Sequence, residues 1–418
     1  MNADQRTFVI VGAGLAGGRA AQTLREEGFA GRIVLVGEET EPPYERPPLS
    51  KGYLLGAEPR QRAFLQDEDW WAGHGIDLRL GCRVTGLDPA NHTVTLNGFE
   101  DLRYDRLLLA TGSRLRTLTV PGHDLHRVRY LRTLDEADLL LADLQNDQVQ
   151  RVVVIGSGWI GMEVAAAARH HRKDVTVVAR GQLPLSMLGP EVGALFRDLH
   201  RAHGVHFRFG TEVTRFRGTG EGVSTVVLTD GTELPADLVV VAIGVTPATE
   251  LAEMAGLAVD DGVLTGADLR TSDPDIYACG DVARIPSSLA GAPIRVEHWA
   301  RAYDSGPAAA RAMLGQPVTF DAVPFFFTDQ YDLGMEFSGW LPPGGYRRVV
   351  FRGDPTLVDG RVPEYLVFWL DADHRVLAGM NVNIWEVADR IQALIRGRRP
   401  VDPQALADPT VPLDQLIH

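Results

Sequence analysis

The sequence predicts an α/β fold in which two similar units with parallel sheets are followed by a smaller α+β domain. Three observations support this fold class. An apolar run that leads into a glycine-rich turn occurs at residues 8–17 and again at residues 152–161. Further short apolar runs end in small residues, as the strands of α/β sheets often do. From about residue 325 onward the sequence becomes richer in aromatic residues.

Composition limits the classes of protein to which this chain can belong. Its 418 residues are enough for two to four domains at roughly 100–200 residues each. A net charge of −14, from 41 basic and 55 acidic side chains, argues against a nucleic-acid partner, because binding phosphates needs a concentrated basic surface. Small molecules are therefore the expected ligands.

No membrane anchor or secretory signal is expected. The first residues lack a basic region followed by an apolar one, and no apolar run reaches the ~18 residues of a membrane-spanning helix. Cys82 and Cys279 are too few and too isolated for a disulfide framework or a cysteine-built metal site, so we expect no metal. These features are typical of a cytoplasmic protein.

Two glycine motifs define the two similar units. The first reads VGAGLAG at residues 11–17 and the second reads VIGSGWIG at residues 154–161. Each copy lies between an apolar strand and an Ala-rich stretch, as in a βαβ unit. The elements that follow are predicted as helices at 20–27 and 163–171 and as parallel strands at 32–36 and 175–178.

The spacing of these glycines has a specific physical use. The first glycine permits a tight turn, the second lets a pyrophosphate approach the backbone, and the third lets the helix pack on the strand. The helix N-terminus adds free N–H groups and a positive dipole. Packing alone explains one copy but not two in the same frame, so the sequence predicts two Rossmann-like dinucleotide-binding domains. The glycines are Gly12, Gly14 and Gly17, and then Gly156, Gly158 and Gly161.

Other strand ends complete the predicted layout. Runs at 107–110, 239–243 and 276–278 each lead to a glycine, at the edge where α/β sheets bind ligands. Strand-like runs at 347–352 and 365–370 predict a C-terminal domain that contains antiparallel strands. From about Arg399 onward the chain is Pro-rich and is predicted to be extended.

Essentially the whole chain resembles the FAD-dependent ferredoxin reductases of cytochrome P450 and aromatic-ring dioxygenase systems, which are relatives of glutathione reductase. The second and fifth matching blocks are the discriminating ones, because ordinary disulfide reductases share the others. The blocks are VGAGLAG at 11–17, PPYERPPLSKGYL at 42–54, VIGSGWIGMEVA at 154–165, TSDPDIYACGDVA at 271–283 and FTDQYDLGMEFSGW at 327–340.

The resemblance implies a specific domain organisation. An FAD-binding domain would comprise residues 1–113 and 246–324, and an NAD(P)-binding domain would be inserted at residues 114–245. A C-terminal domain would comprise residues 325–418. The split FAD domain agrees with the order of the motifs along the chain.

The resemblance also implies an FAD site at the first motif. Gly12, Gly14 and Gly17 would hold the pyrophosphate, and Glu38 would accept hydrogen bonds from the adenosine ribose. The alternative for Glu38 is a solvated turn. Asp281 would bind the ribityl chain; a helix N-cap is its alternative role, and one residue can fill both.

Further residues belong to the expected cofactor-binding set. Arg132 is expected near a phosphate and Val84 in contact with FAD, with ordinary surface and core roles as their alternatives. The other members are Leu15, Ala16, Arg46, Ala110, Thr111, Gly112, Trp159, Ile160, Gly244 and Gly280.

Lys51 and Glu163 are the expected catalytic pair. By resemblance, the Lys51 ammonium lies beside flavin N5 and pairs with Glu163, where its charge favours the anionic reduced flavin. A surface lysine is the alternative. Residues 40–60 contain no cysteine, which argues against disulfide chemistry, and Cys279 is interpreted as a small buried hydrophobe.

Aromatic residues are expected to line the flavin. Glu297, His298 and Trp299 match the segment that the family places along the isoalloxazine ring, and Phe327 falls where an aromatic side chain packs near it. His298 has either a proton-transfer role or a packing role, because hydride transfer to a flavin needs no general base from the protein.

The second motif is expected to bind a nicotinamide nucleotide. Where NADH-specific relatives carry Asp or Glu at the following strand end, this chain reads Ala179 and Arg180. Loss of the carboxylate removes repulsion of a 2′-phosphate, and Arg180 can bind that phosphate. The sequence therefore favours NADPH over NADH; if Arg180 points to solvent instead, discrimination is weak.

The implied activity is transfer of a hydride from NAD(P)H to FAD and of single electrons to a [2Fe–2S] ferredoxin, which serves a cytochrome P450 or another oxygenase. The chain would act as a monomer or homodimer. An acidic ferredoxin would dock on arginines, although solvated charge is the alternative role for them. The candidates are Arg347, Arg348 and Arg352, or Arg396, Arg398 and Arg399.

Two other functions stay open from the sequence. One is an NAD(P)H reductase of a small-molecule acceptor, such as a quinone or a monodehydroascorbate-type radical. The other is a binding protein like the relatives of apoptosis-inducing factor, in which a complex of FAD and NADH controls association.

Overall fold

The computed structural model describes residues 4–220, 222–342 and 344–417. It divides the chain into two compact units. The first comprises the residues up to Glu45, Gln61–Arg114 and Val245–Pro324. The second comprises Arg46–Arg60, Leu115–Gly244 and the residues from Phe325 onward.

The first unit is built on a parallel five-stranded sheet. The strand Thr7–Val11 lies in its centre, and its Phe8 and Ile10 are fully buried in the core. In spatial order the strands are Ile276–Ala278, Arg106–Leu109, Thr7–Val11, Arg32–Val36 and Ile76–Arg79.

Smaller elements surround this sheet. The strands Val84–Asp88, Thr93–Leu96 and Glu100–Arg103 form an antiparallel sheet, and Val263–Leu264, Ala283–Ser287 and Ala292–Arg295 form another of mixed direction. Short strands also occur at Ser113–Leu115 and Val245–Pro247. The helices are Leu15–Glu26, Glu68–Gly73, Glu250–Met254 and Trp299–Met313, with 3₁₀ turns at Arg60–Ala63 and Gly280–Val282.

The second unit contains a second parallel sheet of the same kind. Its central strand Arg151–Ile155 precedes the second glycine motif, as Thr7–Val11 precedes the first. In spatial order the strands are Val205–Phe209, Asp174–Ala179, Arg151–Ile155, Leu238–Val241 and Val128–Arg129. An antiparallel sheet of Val213–Thr219, Gly222–Leu228 and Glu233–Pro235 belongs to the same unit.

A five-stranded antiparallel sheet, the C-terminal sheet, completes the second unit. Val367, Trp369 and Met380 on this sheet are fully buried. In spatial order the strands are Phe325–Gln330, Leu333–Gly339, Val376–Val382, Tyr365–Leu370 and Arg348–Arg352. The helices of the unit are Leu134–Gln145, Trp159–His170, Pro190–Ala202, Ala388–Gly397 and Pro403–Ala407, with 3₁₀ turns at Pro47–Ser50, Ser186–Leu188 and Leu413–Leu416.

The predicted fold class is confirmed, but two local predictions are wrong. The helices that follow the glycine motifs begin earlier than predicted, at Leu15 and Trp159, because the last glycine of each motif lies inside the helix. The end of the chain is not simply extended, since Pro403–Ala407 forms a helix. Pro403 occupies the favourable first position of that helix, and the Asp402 side chain accepts a hydrogen bond from the Gln404 N–H.

The described part of the chain offers neither a membrane span nor a metal cluster. Across residues 4–220, 222–342 and 344–417, no helix has the length and apolar character that a membrane crossing requires. The same residues hold no cluster of three or more His, Cys, Asp or Glu side chains that could bind a metal ion.

Candidate functional site

Two glycines of the first motif are required by the fold itself. A Cβ atom on Gly12 would lie 2.1 Å from the Ala110 carbonyl oxygen, and Gly12 also has a φ of +114°. A Cβ atom on Gly17 would lie 1.9 Å from the Gly12 carbonyl oxygen. Both distances are far below van der Waals contact, so the close packing of turn, strand and helix excludes any side chain there.

Gly14 is different, because no residue in the described part of the chain crowds it. Its φ of −82° is accessible to any residue, and a Cβ atom would meet no atom within 4 Å. Gly14 is the N-cap of the helix Leu15–Glu26, whose first turn carries no acidic side chain. The structure thus keeps clear space at a helix N-terminus, which is the feature that a bound pyrophosphate uses.

The second motif likewise has two glycines that are tightly packed and one that is not. A Cβ atom on Gly156 would lie 2.1 Å from the Ala242 carbonyl oxygen, and one on Gly161 would lie 2.2 Å from the Gly156 carbonyl oxygen. A Cβ atom on Gly158, the N-cap of Trp159–His170, would meet no atom within 4 Å. Each glycine motif therefore leaves open space at a helix N-terminus, and we call each of the two motifs a glycine cradle.

Glu38 and Asp281 occupy strand ends of the first unit. The Glu38 carboxylate is 57% exposed and lies 3.6 Å from the Arg83 guanidinium, so it is accessible to a ligand. Asp281 lies within the 3₁₀ turn Gly280–Val282, whose N-cap is Cys279. The N-cap interpretation of Asp281 is therefore wrong. Cys279 is fully buried, as the sequence predicted, and burial raises the pKa of its thiol.

The remaining first-unit residues of the expected set lie near these strand ends. Gly280 has a φ of +71°, and its Cβ position is 3.1 Å from the Ala16 side chain. The Thr111 hydroxyl donates to the Ala248 carbonyl over 2.8 Å, and Gly112 has a φ of +67°. Leu15, Ala16, Ala110 and Val84 are buried.

Glu297, His298 and Trp299 lie where a strand leads into a helix. His298 is the N-cap residue of Trp299–Met313, and Glu297 forms an ion pair with Arg295. Burial, with a smaller effect of Arg301, lowers the pKa of His298 to about 4. The imidazole is therefore neutral near pH 7. The Trp299 ring stacks on Tyr303 with a centroid distance of 4.6 Å.

Lys51 and Glu163 form a buried ion pair in the second unit. Lys51 Nζ donates to Glu163 Oε1 over 2.7 Å, and their side chains are only 14% and 3% exposed. The alternative of a surface lysine is wrong. The Phe327 ring centroid lies 5.3 Å from Lys51 Nζ, so the sequence-predicted residues Lys51, Glu163 and Phe327 meet at one place.

The local sequence explains how Lys51 reaches this position. The two prolines in Pro47–Ser50 favour a 3₁₀ turn with a fixed φ, and Lys51 directly follows it. The Lys51 N–H donates to the Pro48 carbonyl over 3.1 Å. Glu163 lies on the helix Trp159–His170, one turn after the second glycine cradle.

Two partners of Glu163 are not among the residues that the sequence predicted. The Ser50 hydroxyl donates to Glu163 Oε2, and the Thr328 hydroxyl donates to Oε1 over 2.5 Å. Both residues lie inside blocks that carry the family resemblance. Ser50 directly precedes Lys51 and Thr328 directly follows Phe327, and this adjacency in the sequence could have identified them as part of the site.

Arg46 and Arg132 are also brought together in the second unit. The Arg46 guanidinium donates to the Arg132 carbonyl. The Arg132 N–H donates to Glu136 over 2.7 Å, next to the capping box that Thr133 and Glu136 form for Leu134–Gln145. Arg132 therefore lies beside a helix N-terminus and is half-buried.

The strand end that follows the second motif is open. Ala179 ends the strand Asp174–Ala179, and the Arg180 side chain is 79% exposed and 4.0 Å from Glu212. The Arg180 guanidinium is thus exposed to solvent, at the outer limit of ion-pair distance from Glu212. Ile160 is exposed, whereas Trp159 packs against Phe326 with a centroid distance of 4.7 Å.

The arginine clusters differ in their availability. Arg352 is committed to the fold, because its guanidinium donates to four backbone carbonyls between residues 406 and 411. Its guanidinium N–H groups are therefore occupied within the fold, while its part in a docking surface stays a prediction. Arg347 and Arg348 are exposed, as are Arg396, Arg398 and Arg399. Gly244, the last residue of the expected set, has a φ of +95°.

Comparison with known proteins gives matches over nearly the whole chain. The family described as "Pyridine nucleotide-disulphide oxidoreductase" matches residues 6–306, and "Reductase C-terminal" matches residues 325–417. Putidaredoxin reductase of Pseudomonas putida is 39% identical over 100% of this chain and 98% of its own length. The ferredoxin–NAD(+) reductase component of the anthranilate 1,2-dioxygenase system of Burkholderia cepacia is 40% identical, over 99% of each chain.

A solved structure supports the same relationship. Putidaredoxin reductase in its covalent complex with putidaredoxin has a TM-score of 0.92 and 39% sequence identity. The match covers 100% of this chain and 99% of that one. The protein described here therefore belongs to the pyridine nucleotide-disulphide oxidoreductase family and, within it, to the ferredoxin reductases.

Proposed function

We propose that this protein is an FAD-dependent NAD(P)H:ferredoxin reductase that delivers electrons to a [2Fe–2S] ferredoxin of an oxygenase system. The observation that carries the proposal is the pair of Gly14 and Gly158. Each is a glycine that no steric contact among the described residues requires, placed at a helix N-terminus where a Cβ atom would stand in otherwise clear space. Two such cradles provide for one flavin and one nicotinamide nucleotide.

The residues present fit FAD at the first cradle. Gly12, Gly14 and Gly17 would surround the pyrophosphate, while Glu38 would accept from the ribose hydroxyls and Asp281 would bind the ribityl chain. When bound, FAD accepts a hydride and releases electrons singly, which makes it the converter between a nicotinamide and an iron–sulfur partner. The protein binds and orients the two cofactors.

We propose that Lys51 places its positive charge next to the flavin. A buried ammonium favours a neighbouring negative charge, so it stabilises the reduced anionic form of the cofactor. Glu163 pairs with this ammonium and holds its direction through the 2.7 Å contact. The neutral His298 and the rings of Trp299 and Phe327 are assigned to packing along the flavin.

The domain organisation follows from these assignments. We propose an FAD-binding domain of residues 1–113 and 246–324, an NAD(P)-binding domain of residues 114–245 and a C-terminal domain of residues 325–418. The two glycine cradles lie in the first and second of these. A cytoplasmic location is proposed because two isolated cysteines suit a reducing compartment.

The proposed partner is a small acidic ferredoxin. One relative is named as a reductase of a dioxygenase system, and another is seen in a covalent complex with putidaredoxin. This chain carries a net charge of −14, so an acidic partner must approach a locally basic patch. We assign this patch to exposed arginines, either Arg347 and Arg348 or Arg396, Arg398 and Arg399.

Anaerobic stopped-flow reduction tests the proposed function. The purified protein should be yellow with one noncovalent FAD, and NADH or NADPH should bleach its flavin absorbance. Steady reduction of cytochrome c should then depend on added ferredoxin. A protein that neither carries nor binds FAD would contradict the proposal, and so would cytochrome c reduction that is indifferent to every ferredoxin while quinones are reduced rapidly.

A further inference from the structure

A line of buried polar side chains leads from Glu163 through the second unit. Thr328 Oγ1 contacts Glu163 Oε1 at 2.5 Å, and Gln330 Nε2 contacts Thr328 Oγ1 at 3.1 Å. Gln330 Oε1 lies 2.8 Å from His200 Nε2, and His200 Nδ1 lies 3.1 Å from the Tyr331 hydroxyl. Thr328, Gln330 and His200 are at most 1% exposed. Buried polar groups joined in this way form a network with defined bonding.

The charge on Glu163 and a neutral His200 together fix the direction of every bond in the line. An ionised carboxylate only accepts, so the single Thr328 hydroxyl proton goes to Glu163. Thr328 must then accept from the Gln330 amide nitrogen, which turns the Gln330 oxygen toward His200. That oxygen accepts from Nε2–H. Nδ1 then carries no proton, so it accepts a hydrogen bond from the Tyr331 hydroxyl.

The burial of His200 agrees with this direction, and the conformation of Tyr331 keeps its hydroxyl at the end of the line. The line requires a neutral His200, and burial lowers its pKa to about 4. Tyr331 adopts a φ of +58° between the strands Phe325–Gln330 and Leu333–Gly339, a conformation that is uncommon for an aromatic residue. Its ring stacks on His203 with a centroid distance of 3.7 Å, which holds the hydroxyl against His200.

The line is not a path for protons. A proton could pass Gln330 only if its amide changed to the imidic acid form, so the side chain transmits orientation instead. We infer that His200, Gln330 and Thr328 are positioning residues, which hold the Glu163 carboxylate in its orientation toward Lys51 and thereby set the rate of flavin reduction. The link to the flavin rests on the proposed function, but the bonding direction does not.

Nuclear magnetic resonance of ¹⁵N-histidine-labelled holoprotein tests the bonding direction. The His200 signals are assigned by their loss in His200→Gln. We expect the neutral form with the proton on Nε2 and none on Nδ1 throughout pH 6–8. A proton on Nδ1, a mixture of the two tautomers or an imidazolium would overturn the inference, whatever the flavin does.

Rates of flavin reduction test the consequence. Thr328→Val should slow reduction about tenfold, the change expected for losing one charge-assisted hydrogen bond, and Thr328→Ser should restore it. Gln330→Met should slow reduction as well, but should add nothing in the Thr328→Val background, because both changes act through one hydroxyl. Ser338→Ala is the matched control, since Ser338 is also buried in the C-terminal sheet but has no bond to this line.

The outcomes separate two kinds of failure. If Lys51→Met slows reduction and Gln330→Met does not, the positioning role is wrong while the proposed function stands. Additive effects of Thr328→Val and Gln330→Met, or equal slowing by Ser338→Ala, would also overturn it. If even Lys51→Met leaves the rate unchanged, the placement of the ion pair at the flavin is wrong, and the inferred effect on reduction falls with it.

Discussion

At the scale of single residues, the buried carboxylate of Glu163 is the most demanding group of the candidate site. It is 3% exposed and accepts from Lys51, Ser50 and Thr328. Removing one partner of a buried ion pair costs more than the pair itself contributes, because the other charge stays behind without compensation. Replacing any one of these four residues therefore leaves the others with an unsatisfied buried group.

Lys51→Met should accordingly lower both stability and reduction rate. We expect a loss of about 3–5 kcal/mol in the free energy of unfolding. The flavin potential should fall, because the neighbouring positive charge is gone. The double variant Lys51→Met with Glu163→Gln should lose less than the two single losses added together, as measured by denaturant unfolding and stopped-flow reduction.

Lys173 provides a matched control for this pair. It is the only other lysine and is also buried, but it donates to the Asn146 carbonyl over 3.0 Å. Lys173→Met should destabilise the protein without changing the flavin reduction rate. Strict additivity of the Lys51 and Glu163 variants would contradict the coupling.

The glycines of the first cradle should separate folding from cofactor binding. Gly14→Ala should change the free energy of unfolding of the apoprotein by no more than about 1 kcal/mol, because its methyl group meets only open space. It should nevertheless weaken FAD binding. Gly17→Ala should destabilise the apoprotein by at least about 1–3 kcal/mol, since its methyl group overlaps the Gly12 carbonyl.

Denaturant unfolding and FAD titration of the apoproteins check this contrast. Gly158→Ala offers a parallel test, because it should keep FAD and lose affinity for the nicotinamide nucleotide. A Gly14→Ala protein that binds FAD as tightly as the wild type would show that the space next to Gly14 does not hold the FAD pyrophosphate.

Cofactor preference should depend on Ala179 and Arg180. Ala179→Glu should favour NADH, because a carboxylate accepts from the ribose hydroxyls and repels a 2′-phosphate. Arg180→Ala should weaken NADPH alone, by about ten- to a hundredfold if the contact contributes roughly 1.5–3 kcal/mol. Flavin reduction by both nucleotides measures each effect.

The exposed position of Arg180 makes this test informative. Its side chain must reorient to reach a phosphate, since it now lies 4.0 Å from Glu212 in solvent. A wild type that prefers NADH by a hundredfold or more would show that other groups near this strand end decide the choice.

At the scale of elements, one side chain holds the end of the chain to the C-terminal sheet. Arg352, on the strand Arg348–Arg352, donates to the carbonyls of Leu406, Asp408, Pro409 and Val411. A guanidinium with five donors in a fixed plane suits such a role better than an ammonium does.

Arg352→Lys should therefore loosen the segment from Pro403 onward. We expect faster amide hydrogen exchange there and earlier proteolytic cleavage, with little change in the parallel sheets. Arg348→Lys is the matched control, because Arg348 is exposed on the same strand. Equal protection in both variants would show that the helix Pro403–Ala407 is held by its apolar contacts.

Elements with strong local signals were predictable from the sequence. The strands 32–36, 276–278 and 365–370 agree with the structure at both ends, because each is a continuous apolar run bounded by turn residues. The helix starts were missed, since glycine is a poor helix former and only the packing of Gly17 against Gly12 explains its place.

The candidate site was predictable only in part, because some of its contacts depend on tertiary packing. Lys51 and Glu163 came from motifs, whereas the pairing of Gln330 with His200 did not. Gln330 lies inside the block 327–340, but nothing in that block names its partner, His200, which lies in no block at all. Their bond joins the turn-proximal end of a strand to the helix Pro190–Ala202, and the two residues are 130 positions apart. Such a pairing arises from tertiary packing and leaves no signal in a single sequence.

At the scale of the whole molecule, a buried neutral histidine makes stability depend on pH. The pKa of His200 falls from 6.5 to about 4 on folding, so the unfolded chain takes up a proton first as the pH decreases. This contribution to stability is present above about pH 6.5 and is lost progressively toward pH 4. It amounts to about 3 kcal/mol at most.

His200→Gln should remove this pH dependence. The variant should be less stable than the wild type at pH 7.5, and the difference should narrow by up to about 3 kcal/mol as the pH falls to 4.5. His298, whose pKa is also lowered, is present in both proteins and cancels in the comparison. Thermal unfolding of both proteins across this range provides the measurement, and parallel curves would contradict the expectation.

The unequal glycines of each cradle also have an evolutionary consequence. Mutations at Gly12 or Gly17 destabilise the fold, so selection on abundance acts against them whatever the protein does. A mutation at Gly14 leaves a folded chain, so only selection on the cofactor removes it. In a lineage that kept the fold but no longer bound FAD, Gly14 would be the first glycine of the motif to be replaced. The residue at the middle position of each motif would therefore indicate whether a relative still binds its cofactor.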